Sequence, residues 1–268
     1  MLFRSNVHAE QAIAALEAKI PVVVDKPMGR NLSETKQILA AATKNKTAAT
    51  VYFNRLFDSD ALTVKKVISD NVIGKVFRME SRFERFRPDL SASSWRENWS
   101  RDDGGGDLLD LQPHLLSTAI DWFGPAELVN ASVRSIRGGS DDDVVLTLKH
   151  KSGVDSYLSA SGIIGAPGPR LRISGSGGAL VINDLDPQEK MLRSGQKPTI
   201  DGWPKGARSS AVIFSRENPR EIQCEIGNYV SFYKQVKEGL KTGVMPVSHD
   251  LILQVATIID QAKEISIR

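Results

Sequence analysis

Apolar and polar residues follow a helix, strand, helix, strand order through the first part of the chain, up to Phe53. Apolar side chains recur at helical spacing from Val7 to Lys19, and three β-branched residues, Val22 to Val24, are typical of a buried strand. Ser33 is placed to cap a helix that runs to Lys44, and Ala48 to Phe53 has the composition of a second strand. This order predicts an α/β arrangement, a parallel sheet with helices on its faces.

The pattern changes after residues 57–74, which are predicted to form one further helix. Alternation with a period of two then dominates, and two amphipathic helices close the chain. We therefore expect two domains: an α/β part, residues 1–55, and a mainly antiparallel open sheet with helices on one face, residues 56–268. The segments predicted as strands of that sheet are 75–87, 127–136, 143–150, 154–163 and 170–183.

Composition excludes several functional classes. The 268 residues are 41% hydrophobic and 25% charged, and the net charge of +3 comes from interleaved acids and bases, so nucleic-acid binding is not indicated. The single cysteine, Cys224, cannot form an internal disulfide, and without paired Cys or His residues a metal site has no support. Since no apolar run is long enough for a membrane span and no signal peptide is evident, we expect a cytoplasmic protein without a membrane partner.

The stretch VVVDKP places charged residues directly after a buried strand. Asp25, Lys26 and Pro27 follow the three valines. In open α/β sheets, ligands bind beyond the carboxyl ends of the strands. Asp25 and Lys26 therefore belong either to a binding site or to a solvated loop, and the pattern alone leaves both interpretations open.

The stretch GGGDLLDLQPHLL contains an acid and a histidine four residues apart. On a helix, Asp110 and His114 would share a face, where the carboxylate can fix the imidazole tautomer and raise its basicity. This spacing is that of a general acid/base pair, but taken alone it is more often found on a capped helix with two solvent-facing polar residues, because i,i+4 pairs are common on helices. Pro113 predicts either a kink or a helix that starts near Gln112.

Two further stretches suggest ligand contacts. Alternation in residues 75–87 places Arg85 and Arg87 on the same side as the apolar residues that precede them, so their guanidinium groups can meet an oxygen-rich ligand. Trp95 and Arg96 combine a ring for stacking with a positive charge, which suits a cofactor. A solvated strand end and a polar loop are the alternative interpretations.

The glycines of SGSGG do not predict a nucleotide site. A dinucleotide-binding glycine turn lies between a strand and a helix, whereas ALVIN, a strand pattern, follows Gly178. We expect a hairpin turn here instead.

Taken in order, SNVHAEQAIAALEA, VVVDKP, NRLFDSD, RFRPD, WRE and GGGDLLDLQPHLL resemble the Gfo/Idh/MocA family of NAD(P)-dependent oxidoreductases, and within it the NADPH-dependent scyllo-inositol dehydrogenases. The resemblance extends from Val7 to the carboxyl end. It implies part of a Rossmann domain followed by an open antiparallel sheet that holds a polyol, inositol or sugar substrate and often mediates homo-oligomer formation. It also implies NADP or NAD as the cofactor.

The resemblance also implies roles for individual residues. Lys26 would lie at the nicotinamide pocket and bond the reacting hydroxyl, and His114 would exchange the proton at the carbon that undergoes hydride transfer. Gln112 stands where a small residue is usual in the family, which puts the local backbone in question. The implied substrate-binding residues are Lys26, Arg85, Arg87, Asp110 and His114. The implied cofactor-binding residues are Asn6, His8, Asp25, Lys26, Pro27, Asn54, Trp95 and Arg96.

The family resemblance further implies a segment that this sequence lacks. Members of the family begin with a strand, a GxGxxG turn and a helix, followed by further βα units. We expect roughly 60 to 90 residues of nucleotide-binding sheet to be missing here, at about 30 residues per βαβ unit. Since the pyrophosphate and ribose contacts belong to that part, we expect this chain alone to bind the cofactor weakly and to be inactive or impaired.

Overall fold

A small parallel sheet forms the first part of the structure, a computed structural model that describes residues 7–199, 201–203 and 206–266. Strands β1 (Val22–Asp25) and β2 (Ala49–Tyr52) pair in parallel. Helix α1 (His8–Glu17) packs against β1, and helix α2 (Leu32–Asn45) packs against β2 and α1. The predicted alternation of helices and strands is confirmed over this part.

The amino-terminal cap of α2 differs from the prediction. Asn31, and not Ser33, is the capping residue, since its backbone is extended and its Oδ1 atom accepts a hydrogen bond from the backbone N–H of Glu34 at 2.8 Å. The extended backbone before the first helical residue lets this side chain reach the free N–H groups of the first turn. Helix α1 is also shorter than predicted at both ends.

An open eight-stranded sheet forms the second part, in the order β10-β9-β8-β7-β3-β6-β5-β4. All neighbouring strands are antiparallel except β3 and β6, which pair in parallel. The predicted hairpin at SGSGG is confirmed by the pairing of β7 with β8, whereas β9 and β10 were not predicted. The strand bounds are β3 (Val76–Glu84), β4 (Ala126–Arg134), β5 (Asp143–His150), β6 (Asp155–Ser161), β7 (Leu171–Gly175), β8 (Gly178–Ile182), β9 (Ser210–Phe214) and β10 (Arg220–Gln223).

Two long helices cover the large sheet and connect it to the small one. Helix α6 (Gln112–Phe123) packs against β3, β5 and β6, and helix α9 (His249–Ser266) packs against β4, α6 and α2. Among the described residues, no helix is both long and apolar enough to cross a bilayer. The remaining helices are α3 (Ser59–Ser69), α4 (Trp95–Asn98), α5 (Asp107–Asp110), α7 (Gln188–Arg193), α8 (Tyr229–Thr242) and a 3-10 helix (Asn54–Phe57).

Candidate active site at the carboxyl end of strand β1

Lys26 follows directly after β1 and points toward the second part of the chain. Its Nζ atom donates hydrogen bonds to the backbone carbonyl oxygen and to the Oδ1 atom of Asp110, both at 2.6 Å. The side chains of Lys26 and Asp110 are 13% and 25% exposed, so the pair is mostly shielded but still reachable from solvent. An ammonium group has three N–H donors, and two bond Asp110 here, so the third has no partner within residues 7–199, 201–203 and 206–266 and can bond a ligand.

Asp110 joins Lys26 to a second cation. The Nε atom of Arg96 donates to Asp110 Oδ1 at 3.1 Å. Burial acts to raise the pKa of the Asp110 carboxyl, but the charges and hydrogen bonds of Lys26 and Arg96 outweigh it, and the pKa lies below its usual range. Asp110 is therefore a carboxylate at neutral pH that fixes two positive groups.

His114 does not pair with Asp110, contrary to the expected arrangement. Leu111 interrupts the helical run, so that α5 ends at Asp110 and α6 starts at Gln112, close to the start that Pro113 predicts. The carboxylate is used by Lys26 and Arg96, and the Nδ1 atom of His114 is sealed from solvent without a hydrogen-bond partner among the described residues.

The surroundings of His114 lower its basicity, whereas the sequence favoured an increase. The imidazole contacts the ring of Phe83 edge to face, with 6.0 Å between the ring centroids. Arg170 lies over the same ring at 4.1 Å and Arg55 at 5.5 Å. Burial, followed by the charges of Lys26, Arg55 and Arg170, holds the pKa of His114 well below its usual range. The imidazole is neutral at physiological pH and retains the capacity to accept a proton.

Arg55 belongs to a buried network that sequence reasoning did not identify. Its Nη1 atom donates to Asp58 at 3.2 Å and to the Tyr229 hydroxyl at 3.3 Å, and its Nη2 atom donates to Glu189 at 2.5 Å. The Tyr229 hydroxyl donates to Asp58 at 2.8 Å. These residues come from three distant segments, so no local sequence pattern could have predicted the network.

Trp95 and Arg96 lie on the short helix α4, not on a loop. The Arg96 guanidinium carbon is 4.5 Å from the Trp95 ring centroid, and the Trp95 ring packs against Trp99 at 5.5 Å. The carbonyl of Arg96 accepts a hydrogen bond from Gly106 at 2.8 Å, which ties α4 to the start of α5. The structure thus brings the predicted stacking pair to the Lys26–Asp110 contact.

The other implied cofactor residues have structural contacts of their own. His8 is buried, and its Nδ1 atom donates to the carbonyl oxygen of Pro27 at 2.9 Å, so it supports the turn that follows Lys26. Asp25 accepts a hydrogen bond from the backbone of Lys26 at 2.8 Å, and the Lys26–Pro27 peptide bond is cis. Asn54 donates to Tyr229 at 3.4 Å. Asn6 lies outside the described residues.

The two predicted arginines at the end of β3 differ in exposure. Met79, Ser81 and Phe83 are buried as the alternation predicts. Arg85 is half-buried and Arg87 is exposed, and neither side chain has a hydrogen bond or ion pair among the described residues. Arg85 is close enough to Asp107 to counteract the rise of its pKa.

Asp107 is a second feature that the sequence did not reveal. Burial raises the pKa of its carboxyl to about 7, with further contributions from the carboxylates of Asp110 and Asp141. Its backbone N–H donates to the carbonyl of Asp141 at 2.9 Å. Because Asp141 is 34 positions further along the chain, this environment exists only in the folded protein.

These residues fit one end of a nicotinamide dinucleotide. A cation with a free donor, a stacking ring and a neutral imidazole suit the nicotinamide and the reacting group. The pyrophosphate needs a glycine-rich turn between a strand and a helix, and no GxGxxG occurs in the printed sequence. Among the described residues, no group of three or more His, Cys, Asp or Glu side chains could hold a metal ion.

Comparison with known proteins identifies the family. Residues 2–53 match the oxidoreductase family with an NAD-binding Rossmann fold, and residues 61–181 match the GFO/IDH/MocA C-terminal domain. The scyllo-inositol 2-dehydrogenase (NADP(+)) IolW of Bacillus subtilis is 30% identical over 98% of this chain and 74% of its own length. The uncharacterized oxidoreductase YdgJ of Escherichia coli is 31% identical over 96% of this chain and 75% of its own length.

Solved structures agree in fold. The structure of yvaA from Bacillus subtilis superposes with a TM-score of 0.85 at 28% identity, covering 98% of this chain and 77% of that one. An oxidoreductase from Bacillus cereus shares the fold, with a TM-score of 0.81 at 22% identity, over 97% of this chain and 75% of its own. With a Rossmann-like parallel sheet, an open and mostly antiparallel sheet, and relatives matched along nearly its whole length, the chain belongs to the Gfo/Idh/MocA family of oxidoreductases.

Proposed function

We propose that this protein transfers hydride between NADP(H) or NAD(H) and a ring carbon of a polyol, inositol or sugar. The observation that carries the proposal is the position of Lys26. Its ammonium lies at the carboxyl end of a strand in a parallel sheet, fixed by Asp110 and close enough to affect the charge state of His114. The domain division at residues 55/56, with Lys26 on one side and His114 on the other, is part of the same proposal.

The chain's own residues would perform the proton chemistry. Bound nicotinamide would supply or accept the hydride. Lys26 would use its remaining N–H to hold the reacting oxygen, and neutral His114 would accept the hydroxyl proton during oxidation and return it during reduction. Trp95 and Arg96 would contact the nicotinamide half, with Arg96 kept in place by Asp110.

A polyhydroxylated substrate is favoured by the groups around this pair. Arg85 offers a guanidinium without a hydrogen bond or ion pair in the described part of the chain, and the name of the Bacillus subtilis relative refers to scyllo-inositol. The test is a panel of inositols, sugars, ethanol and lactate with NADPH-linked or NADH-linked turnover. The protein tested is a fusion in which the amino-terminal Rossmann segment of a family member, including its GxGxxG turn, precedes this chain. This fusion is called the protein joined behind a family Rossmann start. We expect turnover on at least one inositol or sugar; turnover confined to ethanol or lactate contradicts the substrate class.

We further propose that these 268 residues alone bind the dinucleotide weakly and turn over little. The reason is that the pyrophosphate has no GxGxxG turn to bind. Calorimetric titration of the purified chain with NADPH and NADH measures this directly. Micromolar affinity together with turnover would contradict the proposal.

A non-catalytic sugar-binding or subunit-association module is the second candidate. Binding of a polyol without cofactor-dependent turnover, even behind a family Rossmann start, would support this alternative.

We also propose that the chain forms a homo-oligomer through the large sheet, where Val129, Tyr157 and Phe214 are exposed. Light scattering of the purified protein decides this point, and a monomer at micromolar concentration would exclude it.

A further inference from the structure

Arg170 is a buried arginine whose guanidinium contacts two other elements. It precedes β7 directly, and its side chain is 4% exposed. Its Nη1 atom donates to the hydroxyl of Ser81 on β3 at 2.6 Å, and its Nη2 atom lies 3.4 Å from Oδ2 of Asp60 on α3. The guanidinium carbon lies 4.1 Å from the centroid of the Phe83 ring. Three side chains therefore fix this group, and one of them is the ring that contacts His114.

Phe83 connects Arg170 to His114. Ser81 and Phe83 are two positions apart on β3, so their side chains share one buried face of the strand. The Phe83 ring meets the imidazole at an interplanar angle of 79°, with 6.0 Å between the centroids. Arg55, on the 3-10 helix, lies over the same ring at 5.5 Å. The imidazole and two guanidinium groups thus contact one and the same aromatic ring.

The charges that act on His114 are all positive. They belong to Lys26 after β1, Arg55 in the 3-10 helix and Arg170 before β7. After burial, which is the largest cause, they lower the pKa of the imidazole. Within the described residues, no charge on β3, β5, β6, α5 or α9, the other elements that pack against α6, contributes to this shift. Each cation has a carboxylate of its own: Asp110 for Lys26, Asp58 for Arg55 and Asp60 for Arg170.

The two ring nitrogens of His114 differ in access. Nδ1 is sealed from solvent and has no hydrogen-bond partner among the described residues. Nε2 also forms no hydrogen bond with the described part of the chain, but it is not sealed. In a triad, a carboxylate bonds the inner nitrogen and stabilises the imidazolium. His114 lies instead among cations, which oppose the imidazolium and keep Nε2 available as a neutral acceptor.

We propose that Arg170 is a positioning residue that acts through Phe83 to keep the His114 imidazole uncharged for proton transfer. The inference rests on the proposed function, since it assumes that His114 accepts the proton of the reacting hydroxyl. During oxidation the O–H and C–H bonds break, the proton passes to Nε2, the hydride passes to the nicotinamide and a carbonyl remains. Only a neutral imidazole has a lone pair for that proton.

Stability alone does not account for the Arg170–Asp60 pair. Apolar residues often replace a buried ion pair without loss of stability. A cation at this position has a second effect, however, because it raises the cost of a positive charge on the neighbouring imidazole. The pair therefore keeps a charge beside Phe83 that an apolar side chain would not supply.

The first experiment measures the protonation of His114 without cofactor or turnover. The 268-residue chain is labelled with ¹³C at the histidine rings and titrated by NMR from pH 8 down to the lowest pH at which circular dichroism shows parent and variants folded. His114→Gln assigns the signal. At that lowest pH, Arg170→Met should raise the protonated fraction of His114 at least about threefold, which corresponds to about half a pH unit.

Arg172→Met is the matched control for this change. Arg172 lies on β7, two positions further along the chain, and pairs with Glu80. Its side chain is 42% exposed, and it is not among the charges that act on His114. We expect its replacement to leave the protonated fraction unchanged.

A further pair of variants distinguishes a charge effect from a loosened structure. Asp60→Asn breaks the same ion pair but keeps the Arg170 charge, so it should not raise the protonated fraction, whereas entry of water would raise it in both variants. Arg170→Met/Asp60→Asn leaves no unpaired carboxylate and should show the rise even where Arg170→Met does not fold. A rise with Asp60→Asn as large as with Arg170→Met, or no rise when Arg170 is replaced, overturns the inference.

The second experiment separates this inference from the proposed function. In the protein joined behind a family Rossmann start, kcat/KM for oxidation falls on the acid side, where His114 binds a proton. Arg170→Met should move this fall upward by at least about half a pH unit, whereas Arg172→Met should leave it in place. If the parent oxidises a polyol and the fall does not move in Arg170→Met, the inference is wrong and the function stands. If the NMR rise is found but the parent has no turnover, the proposed function fails, and the catalytic role of Arg170 fails with it.

Discussion

Replacing Arg55 by methionine tests the buried network beside the candidate site. The Arg55 side chain is 10% exposed and pairs with Asp58, which is 2% exposed, and with Glu189, which is 41% exposed. Methionine keeps most of the volume but removes the charge, so Asp58 is left buried without the cation that it pairs with. Breaking a buried pair in this way costs about 3–5 kcal/mol of the free energy of unfolding.

The chain contains a matched control for this change. Arg193 pairs with the same Glu189 but is 79% exposed, and exposed pairs contribute about 0–1 kcal/mol. Urea denaturation followed by tryptophan fluorescence and circular dichroism gives the free energy of unfolding of Arg55→Met and Arg193→Met. The double variant Arg55→Met/Asp58→Asn should recover about 1 kcal/mol or more, because it also removes the orphaned carboxylate.

A loss for Arg55→Met that lies within about 1 kcal/mol of the loss for Arg193→Met would refute this reasoning. It would mean that water enters the network or that Asp58 binds a proton at little cost. The same conclusion would follow if the double variant were no more stable than Arg55→Met.

Three further predictions concern the site itself. In protein joined behind a family Rossmann start, His114→Gln and Lys26→Met should each slow turnover by roughly 10²–10⁴-fold, measured where chemistry limits the rate, with little change in substrate binding. Gly106→Ala should lower the free energy of unfolding by roughly 1–3 kcal/mol in urea denaturation, because φ is +91° and the added Cβ would lie 2.2 Å from a carboxylate oxygen of Asp141. The pKa of Asp107 is about 7 in the folded protein and has an ordinary value of 3.8 in the unfolded chain. Between these two pH values the folded protein holds a proton that the unfolded chain has released, so the free energy of unfolding falls as the pH rises. Asp107→Asn should remove this loss and gain at most about 4 kcal/mol over the parent between pH 4 and 8, measured by urea denaturation at both ends.

Local patterns predicted the elements of the fold because each pattern has a local physical cause. The β-branched run at Val22 to Val24 forms β1, and the alternation through Met79, Ser81 and Phe83 places those side chains in the core. The small parallel sheet, the open antiparallel sheet and the helix start near Gln112 were all predictable in this way. Strands β9 and β10 were not, because they lie near the edge of the sheet and bury few side chains.

The pairings within the site could not be predicted, because they depend on tertiary contacts. Four-residue spacing suggested that Asp110 would orient His114, but the break at Leu111 separates them and Lys26 binds the carboxylate instead. The lowered pKa of His114 likewise depends on burial and then on the charges of Lys26, Arg55 and Arg170, all of which are more than 50 positions away in the sequence. Residue types indicated the chemistry, whereas partners were set by the packing of distant segments.

The contact between Lys26 and Asp110 bridges 84 positions of the chain and joins the two sheets. Each sheet is held together by its own strand pairings, but this bond requires both sheets and their docking. A folding intermediate with the large sheet formed and the first residues undocked would hold Asp110 beside Arg96 but without Lys26, and would have no complete site. Since contacts between distant residues close only after the chain entropy of the intervening loop is lost, the site requires both sheets to be formed and docked. Its formation therefore reports that the two sheets have docked.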